Sequence, residues 1–249
     1  MTFRKLPVAI AGVLASSLTL SYWCLPPIAQ AQALPTVEGN QRPPAPPRTP
    51  PVNTTRPGGG LNPQDLACNP LNEDLQALIP IDNPVLTATA YPTFLFYVPF
   101  SAEEVQFGEF SLLPWPGEES HHYQTRFRLP TSPGIVSVTI PELPTHALAE
   151  DQTYRWYFQL YCQAGDGIHP DLTLRGAVQR VALTSDRSQQ IQSASPAIWY
   201  DALARVAQRL QTAPDDSQLQ TQWQTLLQLI DAEDAQTASF AGPVRPLAE

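Results

Sequence analysis

Tyr154-Arg155-Trp156-Tyr157-Phe158-Gln159-Leu160-Tyr161-Cys162 decides how the chain folds. Side chains of a strand alternate between its two faces. Tyr154, Trp156, Phe158, Leu160 and Cys162 therefore fall on one side, and Arg155, Tyr157, Gln159 and Tyr161 on the other. The first set is large and apolar, whereas the second carries a guanidinium, an amide and phenols. This pattern predicts a strand with one face in a core, and it sets a cysteine beside a tryptophan inside that core.

Working outward, the same period of two recurs in Thr93 to Val98, Phe107 to Leu113, Tyr123 to Leu129, Ile135 to Ile140 and Leu172 to Val181. Proline, glycine or acidic turns bound each run, as in an antiparallel sandwich. Val136, Val138 and Ile140 point one way while Ser137 and Thr139 point the other. Both faces of Phe94-Leu95-Phe96-Tyr97-Val98 are apolar, which predicts a central strand. Tyr154 follows Leu148 and the acidic turn Glu150-Asp151, an arrangement similar to the tyrosine corner, whose hydroxyl bonds back to the backbone. The expected fold is mainly β over residues 67–186, an immunoglobulin-like or fibronectin-like antiparallel β-sandwich.

After Asp186 the period changes to 3.6. Ser195-Pro196 is a helix start, with a serine cap and proline in the first turn. Trp199, Leu203, Val206 and Leu210 form one stripe. Beyond Pro214-Asp215-Asp216, a second contains Leu219, Trp223, Leu226, Leu227 and Ile230. Residues 187–231 are thus expected to form a C-terminal α-helical hairpin that docks on the sandwich or on a partner. Residues 232–249 are expected to be a disordered tail.

The upstream third has another character. The chain has 249 residues and 28 prolines, against about 12 from average usage. Ten of them lie between Pro35 and Pro70, so residues 34–66 read as an extended proline-rich disordered linker. Residues 1–33 read as a signal peptide: Arg4 and Lys5, an apolar run from Leu6 to Leu20, then Ala29-Gln30-Ala31-Gln32-Ala33. The rival is an uncleaved anchor, because Leu6 to Leu25 is nearly long enough to span a bilayer. Tyr22 and Trp23 before Cys24 argue against lipidation.

Removing Arg4 and Lys5 from 14 basic residues leaves 12, all arginine, against 23 acidic ones, a net charge of −11. Such a chain is repelled by nucleic-acid phosphates and anionic lipid, which excludes nucleic-acid partners and confines any membrane contact to a retained leader. With Cys24 gone, Cys68 and Cys162 remain. In an exported protein an even count predicts a disulfide, with two unpaired thiols as the alternative.

No nucleophile elbow, phosphate loop, Cys-x-x-Cys or dinucleotide fingerprint occurs, so no cofactor is expected. Glu118-Glu119-Ser120-His121-His122 is the densest polar cluster, read mainly as a solvated turn, since adjacent histidines on a strand face opposite ways. Asp166-Gly167-Ile168-His169-Pro170-Asp171 reads as a connection. Arg126, Arg128, Arg155 and Arg175 all fall on outward faces, a candidate binding face for carboxylates or acidic glycans, or a solvated face paired with acids. Tyr200 and Asp201 lie off the stripe of Trp199 and are candidate partner contacts.

Several strings together resemble a known family. Tyr91-Pro92-Thr93-Phe94 with Phe96-Tyr97-Val98-Pro99, Phe127-x-Leu129-Pro130 with Pro133-Gly134-Ile135-Val136-Ser137-Val138, Tyr154-x-Trp156-Tyr157-Phe158, and Ile198-Trp199-Tyr200-Asp201-Ala202-Leu203 are similar to domain of unknown function 928. The resemblance runs from about Cys68 to Ile230. It implies a chiefly cyanobacterial distribution, an export signal and cysteines at the positions of Cys68 and Cys162, and no activity, cofactor or catalytic residue. Ala197-Ile198 stands where members often show Gly-Ile.

The resulting expectation is a periplasmic or extracellular, non-enzymatic binding or scaffolding module whose partner is an envelope protein or an acidic glycan. The alternative is an envelope hydrolase acting on glycan or peptide, with acid-base groups from the Glu118 to His122 cluster or the Asp166 to Asp171 loop. A third reading is a structural subunit whose helical hairpin packs into a larger assembly.

Overall fold

The computed structural model describes residues 52–57, 68, 75–163 and 166–247. The signal-peptide reading and most of the expected linker lie outside them. The strands in chain order are β1 (Gln76–Ala77), β2 (Val85–Thr87), β3 (Thr93–Val98), β4 (Val105–Trp115), β5 (Tyr123–Arg128), β6 (Gly134–Thr139), β7 (Thr153–Cys162) and β8 (Leu172–Arg180). Helices α1 (Ser185–Gln192), α2 (Trp199–Thr212), α3 (Ser217–Gln228) and α4 (Glu233–Thr237) follow, then β9 (Phe240–Pro243) and β10 (Arg245–Pro246).

The strands form two sheets, one in the order β10-β5-β4-β7-β8-β2 and the other β1-β3-β6-β9. The alternation of β7 has the predicted sense, for Tyr154, Trp156, Phe158, Leu160 and Cys162 are all buried. Register places Phe110 opposite Phe158 and Leu112 opposite Trp156. In the smaller sheet, Phe94 faces Val138 and Phe96 faces Val136. The inner faces meet through aromatic rings: Phe96 stacks on Phe158 at 4.0 Å, and Phe94 lies 4.9 Å from Phe110. Rings of this size bury much of the apolar area that stabilises such a core. As expected, β3 is internal to its sheet.

The architecture is mainly β and sandwich-like, but the sheets are mixed rather than wholly antiparallel. β2 pairs with β8 in parallel, and so does β9 with β6. Parallel neighbours need a long connection. Here β2 waits for five intervening strands and β9 returns after the helices, so neither pairing shows in local alternation.

Both apolar helix stripes are buried in the same core cluster as the sheets, so the helical pair docks on the sandwich. Ser195 caps the turn before α2, its Oγ accepting the Ala197 N–H, and Asp216 caps α3. An additional helix, α1, precedes them, capped by Thr184. Two boundaries need correction. Residues 232–247 are not an unstructured tail: Ala232 and Ala235 are buried, the Phe240 ring packs 5.3 Å from Trp223, and β9 and β10 each add to a different sheet. Residues 52–57, which the expected linker includes, are also folded. Thr54 bridges Arg175, while buried Asn53 accepts the Ala177 N–H and donates to Pro80 O. Backbone pairing with sheet edges holds both segments, and it leaves little hydrophobic pattern to read.

Candidate functional site

α2 begins where the inner core meets a sheet margin. Trp199 donates its indole N–H to Leu78 O at 2.8 Å. Tyr200, one residue on, reaches between the sheets: its ring lies 5.0 Å from Phe94, and its hydroxyl accepts from Trp156 Nε1 and donates to Ala177 O. Burial pushes its pKa well above the ordinary phenol value. Asp201 turns to the β2–β3 connection, where its Oδ2 accepts the Ala88 N–H at 3.0 Å. Burial raises its carboxyl pKa, opposed by hydrogen bonds from Thr87, Ala88 and Thr89. Tyr200 and Asp201, expected as partner contacts, anchor the helix to its own sandwich and also line the cleft beside it.

Beside that anchor a cleft of about 500 Å³ opens between α2 and the outer face of the four-stranded sheet. Its floor comes from β3 and β6, where outward Thr93 and Leu95 face Thr139 and Ser137 in register. The Thr93 and Thr139 hydroxyls are 2.9 Å apart. Thr89 and Tyr91 form one side, and Arg205, Gln208 and Gln211 of α2 the other. A second cleft of about 500 Å³ shares Thr89, Ile191 and Asp201 with the first and extends toward Arg180 and Leu183. Of these residues the sequence reading marks only Asp201 as a contact; it places Thr93, Leu95, Ser137 and Thr139 on strands and Tyr91 in a family-like string, and it does not single out Thr89, Arg205, Gln208 or Gln211. The hydroxyls stood out as one strand's polar face, but their helix partner depends on docking.

The arginine face lies on the outer side of the six-stranded sheet, and its guanidiniums do not converge as free charges. Arg126 pairs with Glu109 at 3.0 Å, directly across β4 and β5. Arg155 is only 9% exposed, layered over the rings of Trp115 and Tyr157, with Nη1 on Glu118 at 2.9 Å. Arg175 donates to Thr54 Oγ1, and Arg128 is exposed.

The two polar clusters serve local structure. Glu118 accepts from Arg155 with one oxygen and from the Tyr157 hydroxyl with the other. His122 Nε2 lies 3.1 Å from His146 O, while Glu119 and His121 are exposed. Asp166 accepts from the His169 ring and from the Ile168 and His169 N–H groups, which lowers its pKa to about 2. Asp171 accepts the Cys162 N–H. Cys68 and Cys162 lie at disulfide distance, their Cα atoms 5.5 Å apart, as the cysteine count predicts.

The model of one protein family, Domain of Unknown Function (DUF928), matches residues 54–240, three quarters of the sequence. The chain belongs to the DUF928 family. In comparisons with curated proteins and with solved structures, nothing matches. The DUF928 match starts at Thr54, which bridges β8, and ends at Phe240, where β9 begins. Both clefts and the cysteine pair therefore lie within the DUF928 region. Three of the strings that resemble the family border the first cleft, through Tyr91 and Thr93, through Ser137, and through Tyr200 and Asp201. Among the described residues no helix is long and apolar enough to cross a membrane.

Proposed function

We propose that this chain is an exported cell-envelope protein, periplasmic or extracellular, that acts as a non-enzymatic binding or scaffolding module. The observation that carries this reading is the cleft between α2 and the four-stranded sheet. It is lined by hydroxyls and side-chain amides on a rigid frame, and its carboxylate, Asp201, is tied to backbone N–H groups. Polar groups converging on a preformed concavity favour binding. A hydrolase needs acid-base groups free to reach a shared substrate, whereas Glu118, Asp166 and Asp171 are each engaged elsewhere. The leader pattern of residues 1–33 and the cysteine pair support export. The immunoglobulin-like or fibronectin-like type of the sandwich belongs to the same proposal, supported by the Tyr154 hydroxyl accepting the Ala149 N–H at 3.0 Å across the corner.

The test combines cell fractionation with alanine variants. The protein is expected outside the cytoplasm, and Glu119→Ala, His122→Ala and Asp171→Ala should each retain whatever envelope component the parent captures. Cytoplasmic residence would remove the export reading. Turnover of an envelope substrate that those replacements abolish would replace the binding module with the hydrolase.

A further inference from the structure

We infer that the two joined clefts beside α2 bind a neutral oligosaccharide chain. The inference rests on the binding-module reading and names its ligand class. Thr89, Thr93, Ser137, Thr139, Gln208 and Gln211 present hydroxyls and amides along the first cleft. Each such group both donates and accepts, as do the hydroxyls of a sugar, so a polyol matches the lining without an ion pair. Tyr91 and Ile191, both half-buried, lie among them and give apolar surface for the C–H faces of a pyranose. The volume falls in the range of sites that enclose small ligands.

The charges favour an uncharged ligand. Arg205 donates to Gln192 O, and Asp201 holds Ala88 N–H. The net charge of −9 for the whole chain disfavours polyanions further. Peptide capture by strand addition needs an open sheet edge. β3 and β6 pair with each other along the whole floor, and β1 and β9 cover their other sides at Phe96–Tyr97 and Ile135–Ser137, so the cleft meets the floor chiefly through side chains. The second cleft continues past Thr89, Ile191 and Asp201, which gives an extended chain somewhere to go.

The test is calorimetric titration of the exported protein with cellohexaose and chitohexaose, alongside a hexameric polygalacturonate and an uncharged hexapeptide. Gln208 and Gln211 are exposed, so the Gln208→Ala/Gln211→Ala double variant should keep the parent's melting temperature. At least one neutral hexaose should bind, and the double variant should weaken it about fivefold or more, the effect of losing roughly one net hydrogen bond. No saccharide binding at about 1 mM, equal affinity in the double variant, or binding confined to the uronate or the peptide would each overturn the inference. If no sugar binds while the double variant releases an envelope protein, the ligand class falls and the binding module stands. If a hexaose binds at the cleft and is shortened, the ligand class stands and the non-enzymatic reading falls.

Discussion

Tyr200 shows how one side chain joins helix to sandwich. Its hydroxyl satisfies the buried Trp156 Nε1 and in turn donates to Ala177 O. Tyr200→Phe keeps the ring and leaves the buried Trp156 indole N–H without its acceptor, so the free energy of unfolding should fall by about 1–3 kcal/mol in chemical denaturation. Gly176, opposite Trp156 in register, makes room for the same indole. A Cβ there would lie 2.8 Å from Ile79 Cδ1 and closer still to the Trp156 ring. Gly176→Ala should therefore destabilise by about 1–3 kcal/mol through overpacking, and an unchanged denaturation midpoint would contradict this packing. The burial of Trp156 was legible, because large apolar residues recur at every second position of β7, whereas the burial of Arg155 and Tyr161 on its other face was not. The place of Tyr200 was not: a single helical stripe assumes one buried face, and the first turn of α2 is wedged against the sandwich margin on two.

At the scale of elements, Asp201 ties α2 to the β2–β3 connection at a cost in desolvation. Its folded pKa is raised above the ordinary 3.8. Below 3.8 the carboxyl is protonated in folded and unfolded chains alike. As pH rises through the folded value, the buried group ionises and stability is lost. Asp201→Asn should therefore flatten that part of the stability–pH curve, and parallel curves for parent and variant would count against a buried carboxyl. The C-terminal segment acts as a strap, with β9 on one sheet, β10 on the other and Phe240 against Trp223. Removing residues 239–249 should lower the melting temperature, whereas a free tail would leave it unchanged. Of the six long strands, five were legible to within a residue at each end, while β4 runs two residues further at each end than its apolar run. Short β1, β2, β9 and β10 were not, since two to four residues carry no period and their pairing is made by backbone groups. Helix α1 was missed as well, because none of its residues is buried.

For the whole molecule, the fold class and the helical docking follow from patterns along the chain, whereas the cleft exists only once α2 crosses the outer face of β3 and β6. Thr93 and Gln208 are far apart in sequence, and no spacing rule joins them. The Cys68–Cys162 pair closes a separation of 94 residues. If it is oxidised in the exported protein, reduction should cost about 4–5 kcal/mol of stability in the chain-entropy model. Full alkylation without reductant would show that no bond forms. The most direct test of the binding-module claim is capture of envelope material on the chain from Leu34, with mass spectrometry of what is retained. The account predicts a component held reproducibly, unchanged in mass, and released by Gln208→Ala/Gln211→Ala. Retention of nothing, or conversion of the component into products, would contradict it.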